Sequence, residues 1–190
     1  MTTQHRHWIL GGGLASGKSL VRTMLAEKGI ATVDADEVGH DVLGRDGPAF
    51  DEVASRWPEV VVEGVIDRSA LAAIVFGERD ELEALESITH PHIFDTIRAR
   101  VERLQPPVVV EIPLLREGLG GEWHRLVVDS RDDVKLARAV ERGLGESDAR
   151  ARLNAQPSRS AWLAAADLVI PNHGSVDELR IVVDSAAGHL

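Results

Sequence analysis

The sequence predicts an α/β protein with a parallel central sheet, on three observations. A short apolar run, Trp8-Ile9-Leu10, leads into the glycine-rich stretch 11–17 and then into a helical pattern. A continuous β-branched run, Val108-Val109-Val110-Glu111-Ile112, has the character of a strand buried on both faces. Further apolar runs at Ile30–Val33, Leu126–Val128 and Leu168–Ile170 make five strands, and the helical segments between them require parallel pairing with right-handed crossovers.

Taken in order, Leu20, Val21, Met24 and Leu25 recur at helical spacing after the first strand, and Gly29 closes that helix as its C′ residue. The second strand ends at Asp34-Ala35-Asp36. Residues 37–104 are mainly helical by pattern, broken early by Gly44, Gly47 and Pro48, with one helix opening at Asp67-Arg68-Ser69 and another running from Ile93 to Leu104. Pro106-Pro107 launches the third strand. Ligands of such sheets bind outside the strands' carboxyl ends, where 11–19, 34–36 and 113–117 all fall.

The chain has 190 residues and a net charge of −10, with 31 acidic and 21 basic residues. That balance argues against nucleic-acid binding, which needs a basic footprint. No cysteine is present, which excludes disulfides, thiolate metal sites and cysteine nucleophiles. No apolar run approaches a membrane span and the first residues lack a signal peptide's apolar stretch, so a cytoplasmic protein with no membrane partner is expected. Charge is unevenly spread. Residues 34–95 carry sixteen acidic and four basic side chains, whereas 131–159 carry seven basic and five acidic. The cationic segment suits a lid over phosphates, with an ordinary solvated helix pair as the alternative that stands if the stretch 11–19 binds no phosphate.

Residues 12–19, Gly12-Gly13-Leu14-Ala15-Ser16-Gly17-Lys18-Ser19, fit G-x-x-x-x-G-K-[ST]. The pattern carries a mechanism. Glycines let successive N–H groups converge on phosphate oxygens, Lys18 reaches the β/γ-phosphates, and the Ser19 hydroxyl ligates Mg²⁺. Leu20 continues the loop into the helix, whose positive dipole end adds to the anion site. The fold expected is therefore a three-layer P-loop NTPase fold with a parallel five-stranded sheet, binding ATP with Mg²⁺. On the residues alone, Asp34-Ala35-Asp36 is either a turn after a strand or a carboxylate that handles an acceptor's proton. His90-Pro91 reads as a capped helix junction, and since His90 and His92 do not share a helix face, a metal pair is not expected. Pro113-Leu114 reads equally as core and turn or as site, and each of Arg138, Arg142 and Arg152 as ion pair or phosphate ligand.

Taken together, the chain resembles dephospho-CoA kinases along nearly its whole length. The matching pieces occur in family order: 12–19, Val33-Asp34-Ala35-Asp36, Asp67-Arg68 with Leu71 and Phe76, His90-Pro91-His92-Ile93, Pro113-Leu114-Leu115 with Glu117, Arg138 and Arg142, Ala149 with Arg152, Gln156, Ala166-Asp167, and Asn172 with Gly174. The resemblance implies transfer of the ATP γ-phosphoryl group to the ribose 3′-hydroxyl of dephospho-CoA. It implies Asp36 as the general base or hydroxyl-orienting group, Lys18 and Arg142 as catalytic cations, and Arg138 and Asn172 on the nucleotide. It places His90, Pro113, Leu114 and Arg152 with the acceptor. It also implies a core of 1–36, 105–136 and 160–190, a helical acceptor-binding insert at 37–104 and a helical lid at 137–159, in a monomer or weak oligomer. The chain departs from the family's pattern at Gly11, where threonine is usual, at Ala15, where glycine is usual and a Cβ is expected to fit only at negative φ, and at Arg116. A related kinase with another acceptor and a non-catalytic ATP-binding regulator are the competing readings.

Overall fold

The structure, a computed structural model, describes residues 7–112 and 119–190. Pro113, Leu114, Arg116 and Glu117, singled out above, lie outside the described residues. Two compact units divide the chain, one of residues 1–33 with 104–190 and one of residues 34–103.

The first unit carries the sheet. Its strands are β1 (His7–Gly11), β2 (Ala31–Asp34), β5 (Val108–Glu111), β6 (His124–Asp129) and β7 (Leu168–Pro171), in the order β2-β5-β1-β6-β7. β1 sits at the centre, paired in parallel with β5 on one side and β6 on the other, and β6 pairs in parallel with β7. All four residues of β5 are buried, as an unbroken β-branched strand requires.

Strand periodicity sends Trp8 and Leu10 to one face, where they meet Val21, Met24 and Leu25 of α1 (Lys18–Glu27) and Leu179 and Val183 of α9 (Val176–Ala187). Gly11 faces the other way. A Cβ there would lie 2.7 Å from the ring of Trp162 on α8 (Arg159–Ala164), so the buried indole leaves no room for threonine. Helices on both faces make the three layers. The C-terminal α9, which the sequence reading did not single out, starts with a full capping box between Ser175 and Glu178.

α6 (Asp132–Glu141) and α7 (Glu146–Ala155) follow β6 and pack on each other within this unit.

The second unit contains α2 (Ala35–Val42), α3 (Phe50–Arg56), a two-stranded hairpin of β3 (Val61–Val62) and β4 (Val65–Ile66), α4 (Arg68–Val75) and α5 (Arg79–Val101). Its core is Val53, Trp57, Val60, Ile66, Leu71 and Val75, with Leu82, Leu85 and Ile88 of α5 packed against it. Asp67 caps α4 as expected, accepting from the N–H groups of Ser69 and Ala70. Two expectations are corrected. The hairpin interrupts the predicted helical run, because Glu63-Gly64 supplies two positive-φ residues for a two-residue turn. The junction at His90-Pro91 does not exist, since α5 runs 23 residues straight through Pro91. A proline there lacks one N–H and frees the carbonyl of Ser87, which is exposed to water, and the tertiary contacts of α5 outweigh that loss.

Truncating the fully buried Leu10 at the middle of the sheet removes a side chain from the largest core. Leu10→Ala should cost about 3 kcal/mol of unfolding free energy, read as a fall in urea midpoint with unchanged slope.

Candidate functional site

The chain between β1 and α1 turns through three left-handed residues, Gly12 (φ +144°), Ala15 (φ +54°) and Gly17 (φ +99°). At Gly12 a Cβ would come within 2.7 Å of the Val128 carbonyl, so glycine is required there for both conformation and space. Lys18 Nζ donates to the carbonyls of Gly12 (2.9 Å) and Gly13 (3.1 Å), folding its charge over the loop.

The helix that follows is unusual in its start. α2, α4, α8 and α9 each have a side-chain cap, from Asp34, Asp67, Ser158 and Ser175. α1 has none, nor do α3, α5, α6 and α7, but among the described helices α1 alone has neither a side-chain cap nor an acidic residue in its first turn. Its leading N–H groups are left for an anion, and the dipole favours one there.

Distant segments hold the loop in shape. The buried Asn172, just after β7, donates from Nδ2 to the Ser16 carbonyl (2.7 Å). Ser130 Oγ donates to the Asn172 carbonyl. Arg138 donates from Nη1 to Ser130 Oγ (3.1 Å) and the Asn172 carbonyl (3.2 Å), and from Nη2 to Asn172 Oδ1 (3.1 Å) and the Gly174 carbonyl (3.2 Å). The side-chain polar atoms of Asn172 are thus committed to the loop and to Arg138. From just after α7, Gln156 Oε1 accepts the Leu14 N–H at 2.7 Å.

Ala15 is the departure from expectation. Its φ is positive, not negative, and its methyl group is buried with Ala139 and Ala149. A left-handed alanine costs about 1–2 kcal/mol. Burial of a methyl (about 0.8 kcal/mol) and one net hydrogen bond at the neighbouring peptide (about 1 kcal/mol) offset it.

Arg138, Arg142, Asn172, Gly17 and Leu20 converge on a cavity of about 190 Å³, with Glu141, Val176 and Leu179 completing its wall. Arg142 is exposed at the end of α6 and Arg152 is exposed on α7.

Across the loop, the buried Glu111 ends β5. It accepts from Ser19 Oγ (2.9 Å) and pairs with Arg22 (2.7 Å). The sequence reading missed this residue as a site member, although an acid closing a β-branched strand after a phosphate loop is the signal to look for. A hydroxyl and a carboxylate are hard oxygen donors of the kind that hold Mg²⁺ beside phosphates, so the pair fits that ion. Lys135 was also missed. Its side chain is buried against Gly13 and pairs with Asp132 at 2.6 Å.

In the second unit the aspartate triplet divides its labour. Asp34 caps α2 by accepting from the N–H of Asp36 (2.9 Å) and of Glu37 (3.4 Å), which leaves the exposed Asp36 carboxylate for other work. His90 rests against Phe94, with ring centroids 5.8 Å apart. Arg45 donates to the hairpin carbonyls of Glu63 and Gly64, and Arg56 pairs with Glu81, so neither cation is idle.

Among comparisons with known proteins, a family model described as Dephospho-CoA kinase matches residues 8–178. A protein named Dephospho-CoA kinase from Corynebacterium jeikeium (strain K411) is 40% identical over 95% of this chain and 97% of its own length. The crystal structure of TT1252 from Thermus thermophilus superposes with a TM-score of 0.79 at 32% identity, covering 97% of this chain and 98% of that one. Dephospho-CoA kinase from Campylobacter jejuni gives a TM-score of 0.74 at 26% identity, covering 96% and 95%.

Asp129, at the end of β6, accepts the Asn172 N–H on its backbone carbonyl (2.7 Å). Hydrogen bonds from Arg159 (2.7 and 2.6 Å), with help from the charges of Arg159, His173 and Lys135, hold its carboxyl below the ordinary value of 3.8 against the opposing effect of burial. The folded carboxylate therefore takes up a proton less readily than the unfolded one. Its contribution is complete above the ordinary carboxylate value and is lost as pH falls through the depressed one. Asp129→Asn should lower the melting temperature at pH 7, and the gap from wild type should close below the ordinary carboxylate range, as melts across an acid pH series would show.

Proposed function

We propose roles for these residues on one premise: the chain belongs to the dephospho-CoA kinase family, ATP-dependent kinases of the last step in coenzyme A biosynthesis. The γ-phosphoryl group of ATP passes to the ribose 3′-hydroxyl of dephospho-CoA, leaving ADP, the phosphorylated coenzyme and a proton.

The observation that carries the nucleotide half is the uncapped start of α1 behind a loop with three left-handed residues. The N–H groups of Ala15 to Leu20 take the phosphate oxygens, with Gly12, Gly13 and Leu14 setting the turn. Lys18 exchanges its bonds to the Gly12 and Gly13 carbonyls for the β- and γ-phosphates. Because the transition state of phosphoryl transfer is loose, positioning and charge neutralisation do most of the work. Mg²⁺, when bound, neutralises β/γ-phosphate charge, and Ser19 with Glu111 would hold it. Arg142 closes on the phosphates with the lid, excluding water that would hydrolyse ATP. Arg138 and Asn172 form the nucleotide's wall, Arg138 chiefly by fixing the loop at 172–174.

For the acceptor, Asp36 orients the 3′-hydroxyl and receives its proton. Its freedom from capping duty, which Asp34 performs, supports that assignment. His90 and Arg152, with Pro113 and Leu114 outside the described residues, are assigned to acceptor binding, the 37–104 segment to the acceptor domain and 137–159 to the lid. We assign the protein to the cytoplasm, as a monomer or weak oligomer. No described helix is long and apolar enough to cross a membrane.

A coupled ADP-release assay with dephospho-CoA, nucleosides and nucleoside monophosphates offered in parallel tests the reading. Turnover only with dephospho-CoA is expected. Turnover with another acceptor would point to a diverged kinase, and ATP binding without any turnover to a regulator. Lys18→Ala and Asp36→Asn should each lower kcat by about 10²-fold or more, with ATP affinity kept only in Asp36→Asn. Glu111→Gln should raise the Mg²⁺ concentration needed for half-maximal turnover about tenfold.

A further inference from the structure

The sequence around Gln156 determines where its side chain goes. Pro157 follows, and a residue before proline is pushed out of the helical region, so α7 ends and Gln156 turns extended (φ −90°, ψ 162°). Its side chain then reaches the loop 142 residues earlier and accepts the Leu14 N–H at 2.7 Å. Gln156 Oε1 and Lys135 Nζ both lie beside Gly13, 3.5 Å and 3.3 Å from where a Cβ would stand. One residue beyond the bonded amide, Ala15 adopts its left-handed conformation with its methyl buried against Ala139 of α6 and Ala149 of α7.

These contacts have a common consequence. In the loop, glycine would reach φ +54° unaided, whereas alanine reaches it only if neighbours enforce it. Both neighbours come from the segment 137–159: the Gln156 carbonyl orients the peptide before Leu14, and the α6–α7 pair receives the Ala15 methyl.

We propose that Gln156 is a positioning residue for the phosphate loop, holding it through the Leu14 N–H in the form that takes the nucleotide's phosphates. Ala15 makes the loop depend on that hold, so Gln156 and the seat that Ala139 and Ala149 give the Ala15 methyl set nucleotide affinity without touching the nucleotide. The inference rests on the reading that this loop binds ATP.

The test is a double-mutant cycle in the full chain. Gln156→Met keeps side-chain length but removes the acceptor, and Ala15→Gly removes the need for enforcement. ATP affinity is measured by calorimetry in wild type, both single variants and the pair, with amide exchange followed at Leu14. Gln156→Met alone should weaken ATP about fivefold to tenfold and speed Leu14 exchange, with the KM for dephospho-CoA unchanged. In the Ala15→Gly background the same change should weaken ATP less than about twofold. Equal weakening in both backgrounds would mean that Gln156 acts on the nucleotide directly and would overturn the proposal, as would unchanged affinity with Leu14 exchange accelerated. Failure of wild type to bind ATP would instead remove the underlying reading. If Gln156→Met melts below assay temperature, Gln156→Glu, which retains an acceptor oxygen, should keep Leu14 protected, and loss of protection there would also overturn the proposal.

Discussion

A backbone that must present converging N–H groups to an anion cannot satisfy those groups internally, and the rest of the first unit is arranged around that constraint. The loop at 12–19 has its carbonyls tied down so that its amides remain available. Lys18 holds the carbonyls of Gly12 and Gly13, Asn172 holds that of Ser16, Gln156 takes the amide of Leu14, and the Ser16 amide turns back to the Gly13 carbonyl (3.2 Å). Lys18 belongs to the loop itself, whereas Asn172 and Gln156 arrive from remote segments, just after β7 and α7. The loop's conformation is therefore a tertiary property, although its sequence is local.

The same economy governs the carboxylates. Asp34 and Asp36 are two residues apart, yet one completes a helix end and the other is left exposed. Glu111 is buried between a hydroxyl and a guanidinium, which keeps a charged group tolerable at the end of a central strand. Asp129 is buried for a structural purpose, clamped by Arg159. Glu111 and Asp129, the buried acids nearest the loop, are thus each paired with an arginine, in a chain of net charge −10.

Departures from the family pattern become intelligible as local exchanges. Gly11 goes with Trp162, whose ring occupies the space a side chain would need. Ala15 goes with Ala139, Ala149 and Gln156, which accommodate its methyl group and oppose its backbone strain. Neither change disturbs Lys18, Ser19 or Glu111.

The sequence alone determined the strand–loop–helix at the N-terminus, the five strands, the Asp67 cap and the family, because periodicity, glycine placement and motif spacing are local properties written in order along the chain. It also drew attention to Asp36, Arg138 and Asn172. Only the tertiary structure decided the sign of φ at Ala15, the passage of α5 through Pro91, the hairpin at 61–66, and the commitment of Arg138 and Asn172 to shaping the loop. Glu111 and Lys135 emerged as neighbours of the loop in the same way. Each of those outcomes turns on which side chains from remote segments arrive at one place, and the competition among packing, strain and hydrogen bonding there is settled by contacts that no sequence window contains.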